Sequence, residues 1–328
     1  MVKNLKEEGQ CAMLDNFIYS LNATIPVFLI IALGWVLGRT GLLDDCFVAI
    51  ANKLTYAITL PVMLFLEIAQ MDAASLLDAP FLAFGFLATL FCILLIWGGA
   101  HVFLKDKSRI GSFVQGAYRG SAALLGVALM QNIYGNASYA PIMILTAAPL
   151  YNIMAVVILM VEGKREGAAK EHQVREALLG VLKNPILWGI LLGLPFALCG
   201  IRFPVMITSS LKSVSNLATP LALLAIGASF CFDGARRCLG PALWATFLKL
   251  VGQAAVFLPL AIWMGFRDQR LVALLVMFTS PTAAASYIMS VNLGNDGELS
   301  SSIIVYTTLF SAATITAWIF LLRSFSLI

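Results

Sequence analysis

The residue with the most evident chemistry is Arg119, which lies within an apolar segment at 110–134. A guanidinium inside a membrane-spanning segment is costly unless it is paired or solvated, so a functional role is the default interpretation. Its planar fork of donors suits a carboxylate, which it can hold in a bidentate pair. The alternative is that this long side chain snorkels to the cytoplasmic interface. Arg119 is therefore a candidate for attracting or holding an anion.

Hydroxyl and amide side chains provide the other candidate contacts. The segments at 110–134 and 271–293 are weakly apolar and rich in Gly, Ser, Thr and Asn, so they are expected to face protein or a water-filled cavity. Their hydroxyls could bind substrate or only hydrogen-bond between helices. Buried amides could line a pathway or only satisfy nearby broken backbone. The candidate substrate-binding residues are Arg119, Ser121, Asn132, Asn152, Thr279, Ser280, Pro281 and Thr282.

Pro281 has a separate structural consequence. Proline removes a backbone N–H and clashes with the preceding turn, so the spacing predicts a helix interrupted near this residue. Freed N–H groups and the positive N-terminal end of a half-helix would favour an anionic substrate.

Glu67, His101 and Lys249 are the remaining ionisable residues within or near the apolar segments. A proton-coupled carrier would need such groups. Glu67 and His101 lie near predicted helix ends, where solvation at the interface is the simpler interpretation. No deep Asp or Glu lies in the segments at 80–161 or 240–323, which argues against tight proton coupling through a carboxylate.

Composition places these residues in a membrane protein. The chain has 328 residues, 60% of them hydrophobic and 12% charged, and its mean hydropathy is +0.91. A soluble domain usually carries about 25% charged residues. The formal net charge of +4 does not suggest nucleic-acid binding. The sequence contains no phosphate loop, zinc signature or nucleophile triad, so neither an enzyme nor a bound cofactor is expected. The scattered cysteines are interpreted as free thiols.

Ten apolar segments are long enough, or nearly so, to cross a bilayer. Lys and Arg in the loops between them set the orientation: eleven lie on one side and six on the other. The richer side, which contains the polar loop 162–184, is therefore predicted to be cytoplasmic, with both termini on the other face of the cytoplasmic (inner) membrane. The predicted spans are 17–38, 47–69, 80–104, 110–134, 139–161, 185–201, 207–231, 240–264, 271–293 and 300–322.

The chain also matches itself at an offset of 159 residues without a gap. Prolines and glycines, which are rare enough to be informative, coincide in order along several helices. Each copy holds five helices, an odd number, so the second copy must enter the membrane from the opposite side. Inverted repeats of this kind are typical of secondary transporters. The alternative is a duplicated bundle without a transport role. The coinciding pairs include Pro26 and Pro185, Gly34 and Gly193, Gly41 and Gly200, Pro61 and Pro220, Ser121 and Ser280, and Gly135 and Gly294.

Several motifs resemble the auxin efflux carrier family, over nearly the whole chain from about 17 to 323. The most specific is the string Ala218-Thr219-Pro220-Leu221-Ala222-Leu223-Leu224-Ala225-Ile226-Gly227-Ala228-Ser229. Others are Asn184-Pro185-Ile186, Leu54-Thr55-Tyr56 through Leu60-Pro61, Arg119-Gly120, and Ser280-Pro281-Thr282-Ala283. Ser121 and Ala128 depart from the family pattern, which usually has Asn and Pro there. The break in helix four is therefore expected to be softer and to depend on Gly120 and Gly126.

The resemblance implies an all-α integral membrane fold with ten transmembrane helices in two inverted five-helix repeats, 1–161 and 185–328, joined by the loop 162–184. It implies a scaffold of helices at 17–69 and 185–231, which commonly dimerises. It also implies a transport domain of helices at 80–161 and 240–323, with broken helices four and nine crossing near the substrate. Bacterial members of the family are named as malate or malonate permeases.

The leading hypothesis is accordingly a secondary carrier for small organic anions. A sodium-coupled symporter of the bile-acid type has a similar ten-helix design and is the nearest alternative. An anion channel, with the same crossing as a continuous pore, is another. A membrane-embedded enzyme or sensor is a further class, and the missing catalytic constellation argues against it.

Overall fold

The computed structural model describes residues 25–70, 78–121, 129–130, 133–135, 139–163, 184–230 and 232–328. Within these ranges the regular structure is helical. Six helices in these ranges are long and apolar enough to cross a membrane. They are α2 (Asp45–Ala69), α3 (Ala79–Phe103), α5 (Ala140–Glu162), α7 (Val205–Ser229), α8 (Leu239–Trp263) and α11 (Gly297–Ser324).

Shorter helices occupy five further stretches of the described residues. α1 (Ile25–Arg39) and α6 (Pro185–Cys199) are apolar, and α4 (Ile110–Tyr118), α9 (Asp268–Thr279) and α10 (Ala285–Asn292) belong to two interrupted segments. A short helix, Phe232–Arg237, precedes α8. The structure thus shows a multi-pass, all-helical architecture in the part of the chain that it describes. The arrangement as two inverted five-helix repeats stays a prediction.

Aspartate and asparagine side chains fix the starts of several helices. The carboxylates of Asp44, Asp78 and Asp296 accept from the backbone N–H groups of the residue three positions later, at 2.7, 3.2 and 2.9 Å. Asn184 Oδ1 accepts from the backbone N–H of Ile186 at 2.9 Å. Each bond satisfies an N–H that the helix itself leaves free, which matters most where water is scarce.

Glycines let two pairs of helices approach closely. A Cβ at Gly34 of α1 would press on the backbone of Leu224 in α7, and a Cβ at Gly189 of α6 would collide with the backbone of Pro61 in α2. Packing of this kind is how small residues bring helices together in a membrane. Helix α1 therefore packs on α7, and α6 packs on α2.

Large apolar side chains cover the outside of the bundle. On α3, for example, Phe86, Leu87, Phe91, Leu94 and Leu95 are all exposed. In water such a surface would aggregate, whereas in a bilayer it faces acyl chains. Many of the buried polar residues lie along α9–α11, among them Ser286, Ser290 and Ser300, and others, such as Asn52 and Lys249, are buried on the long helices.

Both segments that the sequence marked as weakly apolar are interrupted. α9 ends at Thr279, and Ser280 has extended backbone; α10 begins at Ala285. The helix is therefore interrupted around Pro281, as its proline predicted. α4 ends at Tyr118, and Arg119 already has extended backbone with ψ of 114°. The first break thus begins one residue before Gly120. Gly126 lies outside the described residues.

Candidate functional site

The two interruptions cross and pair with each other. The backbone N–H of Ser121 donates to the carbonyl of Pro281 at 2.8 Å, and Gly120 and Thr282 form an isolated antiparallel bridge. The Thr282 hydroxyl donates to the carbonyl of Gly116 at 2.7 Å. The first two contacts join backbone groups outside the helices, and the third satisfies a carbonyl in the last turn of α4. Such backbone groups must be satisfied inside a membrane. We call the segments Arg119–Ser121 and Ser280–Ala284 the crossing.

α8 satisfies the last carbonyls of both helices that end at the crossing. Gln253 Nε2 donates to the carbonyl of Ala117 in α4 at 2.5 Å. Lys249 Nζ donates to the carbonyls of Met277 and Phe278 in α9, at 3.1 and 3.3 Å. Lys249 lies in a π-helical turn, Leu248–Gly252. Lys249 and Gln253, four residues apart on α8, therefore bind the carbonyl ends of both α9 and α4.

The two breaks and Lys249 pack so closely that position 120 has no room for a side chain. A Cβ at position 120 would collide with Ser280 Oγ and lie 3.0 Å from Lys249 Nζ. The glycine thus allows the two breaks and the α8 lysine to share one small volume.

A cavity of about 220 Å³ opens beside the crossing. Both breaks form part of its wall, together with residues of α1, α2, α5, α7, α10 and α11. Ligand sites for drug-sized molecules are usually about 300–1,000 Å³, so this volume suits a small ligand. The polar side chains in the wall are those of Glu67, Arg119, Ser121, Tyr151, Asn152, Thr219, Thr282 and Thr308.

Arg119 is the buried cation of this wall, with only 4% of its surface exposed. Its Nη2 donates to Oδ1 of Asn152 at 2.6 Å, and its Nη1 contacts the sulfur of Met289. Neither the amide nor the thioether is an anion, and in the described ranges no carboxylate lies within ion-pair distance of the guanidinium, although Glu67 lines the same cavity. The side chain does not snorkel to the interface, so that alternative is not supported.

Five of the eight predicted site residues share the cavity wall: Arg119, Ser121, Asn152, Pro281 and Thr282. Thr279 and Ser280 are fully buried outside it. The Thr279 hydroxyl donates to the carbonyl of Leu275 at 2.8 Å, within its own helix. The Ser280 hydroxyl has no hydrogen-bond partner among the residues described. Asn132 lies outside the described residues.

Glu67 is placed differently from the sequence-based interpretation. It was expected to be solvated at an interface, but it lines the same cavity as Arg119. By contrast, His101 is indeed near a helix end, where its Nε2 lies 2.9 Å from Glu162 Oε1 and half of its side chain is exposed.

Lys249 was recognised as ionisable but not as part of the site. The sequence feature that could have identified it is the position of a lysine in the middle of an apolar span. Its partner carbonyls lie about thirty residues further along the chain, so no short-range pattern could identify them.

Comparisons with known proteins agree with this architecture. A family model described as "Membrane transport protein" matches residues 19–319. The "Uncharacterized transporter YfdV" of Escherichia coli (strain K12) is 22% identical over 319 residues, which cover 95% of this chain and 99% of that protein. The "Uncharacterized transporter MJ1031" of Methanocaldococcus jannaschii is 22% identical over 306 residues, 91% of this chain and 97% of the relative.

Among solved structures, the sodium proton antiporter MjNhaP1 from Methanocaldococcus jannaschii is similar, with a TM-score of 0.59 and 15% sequence identity. The likeness covers 97% of this chain and 100% of that chain. At such low identity it shows a shared fold and nothing about the substrate.

Proposed function

Because the chain belongs to the auxin efflux carrier family of membrane transport proteins, we propose that it is a secondary carrier for small organic anions such as carboxylates. The observation that carries this proposal is the buried guanidinium of Arg119 in the cavity wall, with an amide and a thioether as its partners. A buried cation without a carboxylate in ion-pair contact is costly, and a substrate carboxylate would supply that contact.

The surroundings of Arg119 support the same substrate class. Ser121 and the N-terminal end of α10 at Ala285 line the cavity, whereas the hydroxyls of Thr282 and Thr308 already donate to the carbonyls of Gly116 and Ile304. Hydroxyl donors and the positive end of a half-helix both favour an anion. The volume of about 220 Å³ limits that anion to a small acid.

We further propose that the substrate crosses the cytoplasmic membrane by alternating access between two inverted repeats, 1–161 and 185–328. The scaffold would comprise 17–69 and 185–231, and the transport domain 80–161 and 240–323. The reciprocal packing of α1 on α7 and of α6 on α2 supports this division. In this scheme Glu67 belongs to the scaffold and Arg119 to the transport domain, so the cavity lies between them. A homodimer through the scaffold follows the pattern of the family.

Uptake and counterflow in proteoliposomes test the proposal. The purified chain is reconstituted and offered a panel of radiolabelled mono- and dicarboxylates, with and without proton and sodium gradients. A carrier gives saturable uptake and counterflow of at least one small acid. Single-channel conductance without counterflow would instead support an anion channel, and transport of no anion in the panel would contradict the proposal.

A sodium-coupled symporter is the second candidate, since the fold resembles that of a sodium proton antiporter. In the same assay it predicts uptake that depends on an inward sodium gradient.

A further inference from the structure

Helices α4 and α9 both have their C-terminal, carbonyl ends at the crossing. α4 ends at Tyr118 and α9 at Thr279, and Ser121 and Pro281, just beyond these ends, are joined by a backbone hydrogen bond. Each helix C-terminus carries about half of an elementary negative charge. Together they amount to roughly one negative charge, and bringing them together is unfavourable unless a cation lies between them.

Lys249 is positioned to be that cation. It is fully buried, and its ammonium donates to the carbonyls of Met277 and Phe278 in the last turn of α9. It also lies 3.0 Å from where a Cβ of Gly120, just beyond α4, would be. No carboxylate pairs with it in the described part of the chain. Its hydrogen-bond partners are thus the carbonyls at the end of α9, and its charge lies beside the end of α4.

Carbonyls at half-helix C-termini and unwound backbone are the groups that bind Na⁺ in many secondary transporters. Here Lys249 already occupies the carbonyls of Met277 and Phe278. The adjacent Ser280 hydroxyl is a further oxygen without a partner among the described residues. These carbonyl and hydroxyl oxygens are therefore the ligands that a hard cation such as Na⁺ prefers, and here the Lys249 ammonium occupies that position.

We propose that the Lys249 ammonium replaces a coupling cation at the crossing, so that this carrier holds its two broken helices together without binding Na⁺. The inference goes beyond the proposed function, since it concerns the ion dependence of the fold and not the substrate.

Thermal unfolding of the full-length purified protein tests this with Na⁺ itself as the probe, and choline chloride supplies equal ionic strength. The wild-type midpoint should be the same in both salts. Lys249→Met removes the charge while keeping an unbranched side chain, so its midpoint in choline should be lower. Saturating Na⁺ or methylammonium should then raise that midpoint by at least about 3 °C, because a ligand that binds only the folded state stabilises it.

Two further variants separate charge from packing. Lys249→Arg retains a cation and should remain insensitive to Na⁺. Lys212→Met removes an exposed lysine of α7 and should change neither the midpoint nor its response. If Lys249→Met does not accumulate folded in choline, expression and purification in Na⁺ or methylammonium should recover it; failure to recover it in either cation counts against the proposal.

The proposal is overturned if Na⁺ saturably stabilises the wild-type protein, or if Lys249→Met unfolds in choline at the wild-type midpoint. It is also overturned if the variant is destabilised but no cation restores it. These measurements need no substrate, so a failure to transport any organic acid would contradict the proposed function without deciding this question. Where an acid is transported, wild-type uptake should be equal in sodium and choline media.

Discussion

Nη2 of Arg119 and Oδ1 of Asn152 are 2.6 Å apart, which links the end of α4 to the middle of α5. The amide is itself oriented, because its Nδ2 donates to the carbonyl of Ala148 at 2.8 Å. One side of the guanidinium is thereby fixed, while the residue still contributes to the cavity wall. A prepositioned cation of this kind binds an anion with little loss of side-chain entropy.

Replacing Arg119 should weaken anion binding. Arg119→Gln loses a charged hydrogen bond, which is worth about 1.5–3 kcal/mol, so the half-saturating concentration should rise roughly 10- to 100-fold. Arg119→Lys keeps the charge but not the planar fork and should show an intermediate loss. Concentration-dependent uptake in proteoliposomes measures both. The exposed Arg236 provides the control, Arg236→Gln. Unchanged apparent affinity for every transported anion in Arg119→Gln would remove the main support for an anion site.

Replacing Glu67 should have the opposite effect. Its carboxylate lines the same cavity as Arg119, so it lowers the positive potential that an incoming anion meets. Glu67→Gln should tighten apparent affinity about two- to fivefold, equivalent to about 0.5–1 kcal/mol. Asp45→Asn, at the exposed start of the same helix, is the matched control and should have no effect. A weaker affinity in Glu67→Gln would mean that this carboxylate contacts substrate instead of competing with it.

Pro281→Ala should reduce transport without preventing expression. Alanine restores an N–H and permits helical backbone at this position, so α9 can extend toward α10 and loosen the bond between Ser121 and the carbonyl of residue 281. We expect the maximal uptake rate to fall several-fold. Pro259→Ala, which replaces another proline inside a helix, controls for loss of a ring in the membrane. Wild-type kinetics in Pro281→Ala would show that the break does not depend on its proline.

Gly120→Ala and Ser280→Ala should have very different effects on the stability of the folded protein. The first places a methyl group against Ser280 Oγ and Lys249 and should destabilise the protein by about 1–3 kcal/mol. The second removes a hydroxyl without a partner in the described structure, so it should be near neutral. Thermal unfolding of both variants, and of the double variant, decides: Ser280→Ala should partly relieve Gly120→Ala.

Topology can be tested independently of transport. The excess of Lys and Arg on one side predicts that both termini are outside and that the loop 162–184 is cytoplasmic. A single cysteine introduced as Lys170→Cys in a cysteine-free background should react with a membrane-impermeant maleimide only after the cells are opened. Labelling of intact cells at this position would reverse the predicted orientation.

The sequence predicted those parts of the fold that depend on local composition. Apolar runs located the helices, and Pro281 located one interruption. Arg119, Ser121, Asn152, Pro281 and Thr282 do share one cavity wall. The roles of Thr279 and Ser280 were not predictable from residue type, because whether a hydroxyl points into a cavity or into its own helix depends on one turn of backbone.

Lys249 and Glu67 show the other limit of sequence reasoning. Each has a partner or neighbour that is distant along the chain: the carbonyl end of α9 for Lys249, and the Arg119 side of the cavity for Glu67. An ionisable residue in an apolar run signals that some compensation exists, but not which group provides it.

The bonds across the crossing also have a consequence for how the protein is made. Ser121 N–H, the carbonyl of Gly116 and the carbonyl of Ala117 are all satisfied by residues after 250 in the chain. Synthesis proceeds from the N-terminus, so the first half enters the bilayer before any of these partners exists. Until the ribosome has delivered α8 and the second break, that half carries polar backbone in a non-aqueous environment. A nascent chain truncated after residue 184 should therefore be a substrate for membrane quality-control proteases.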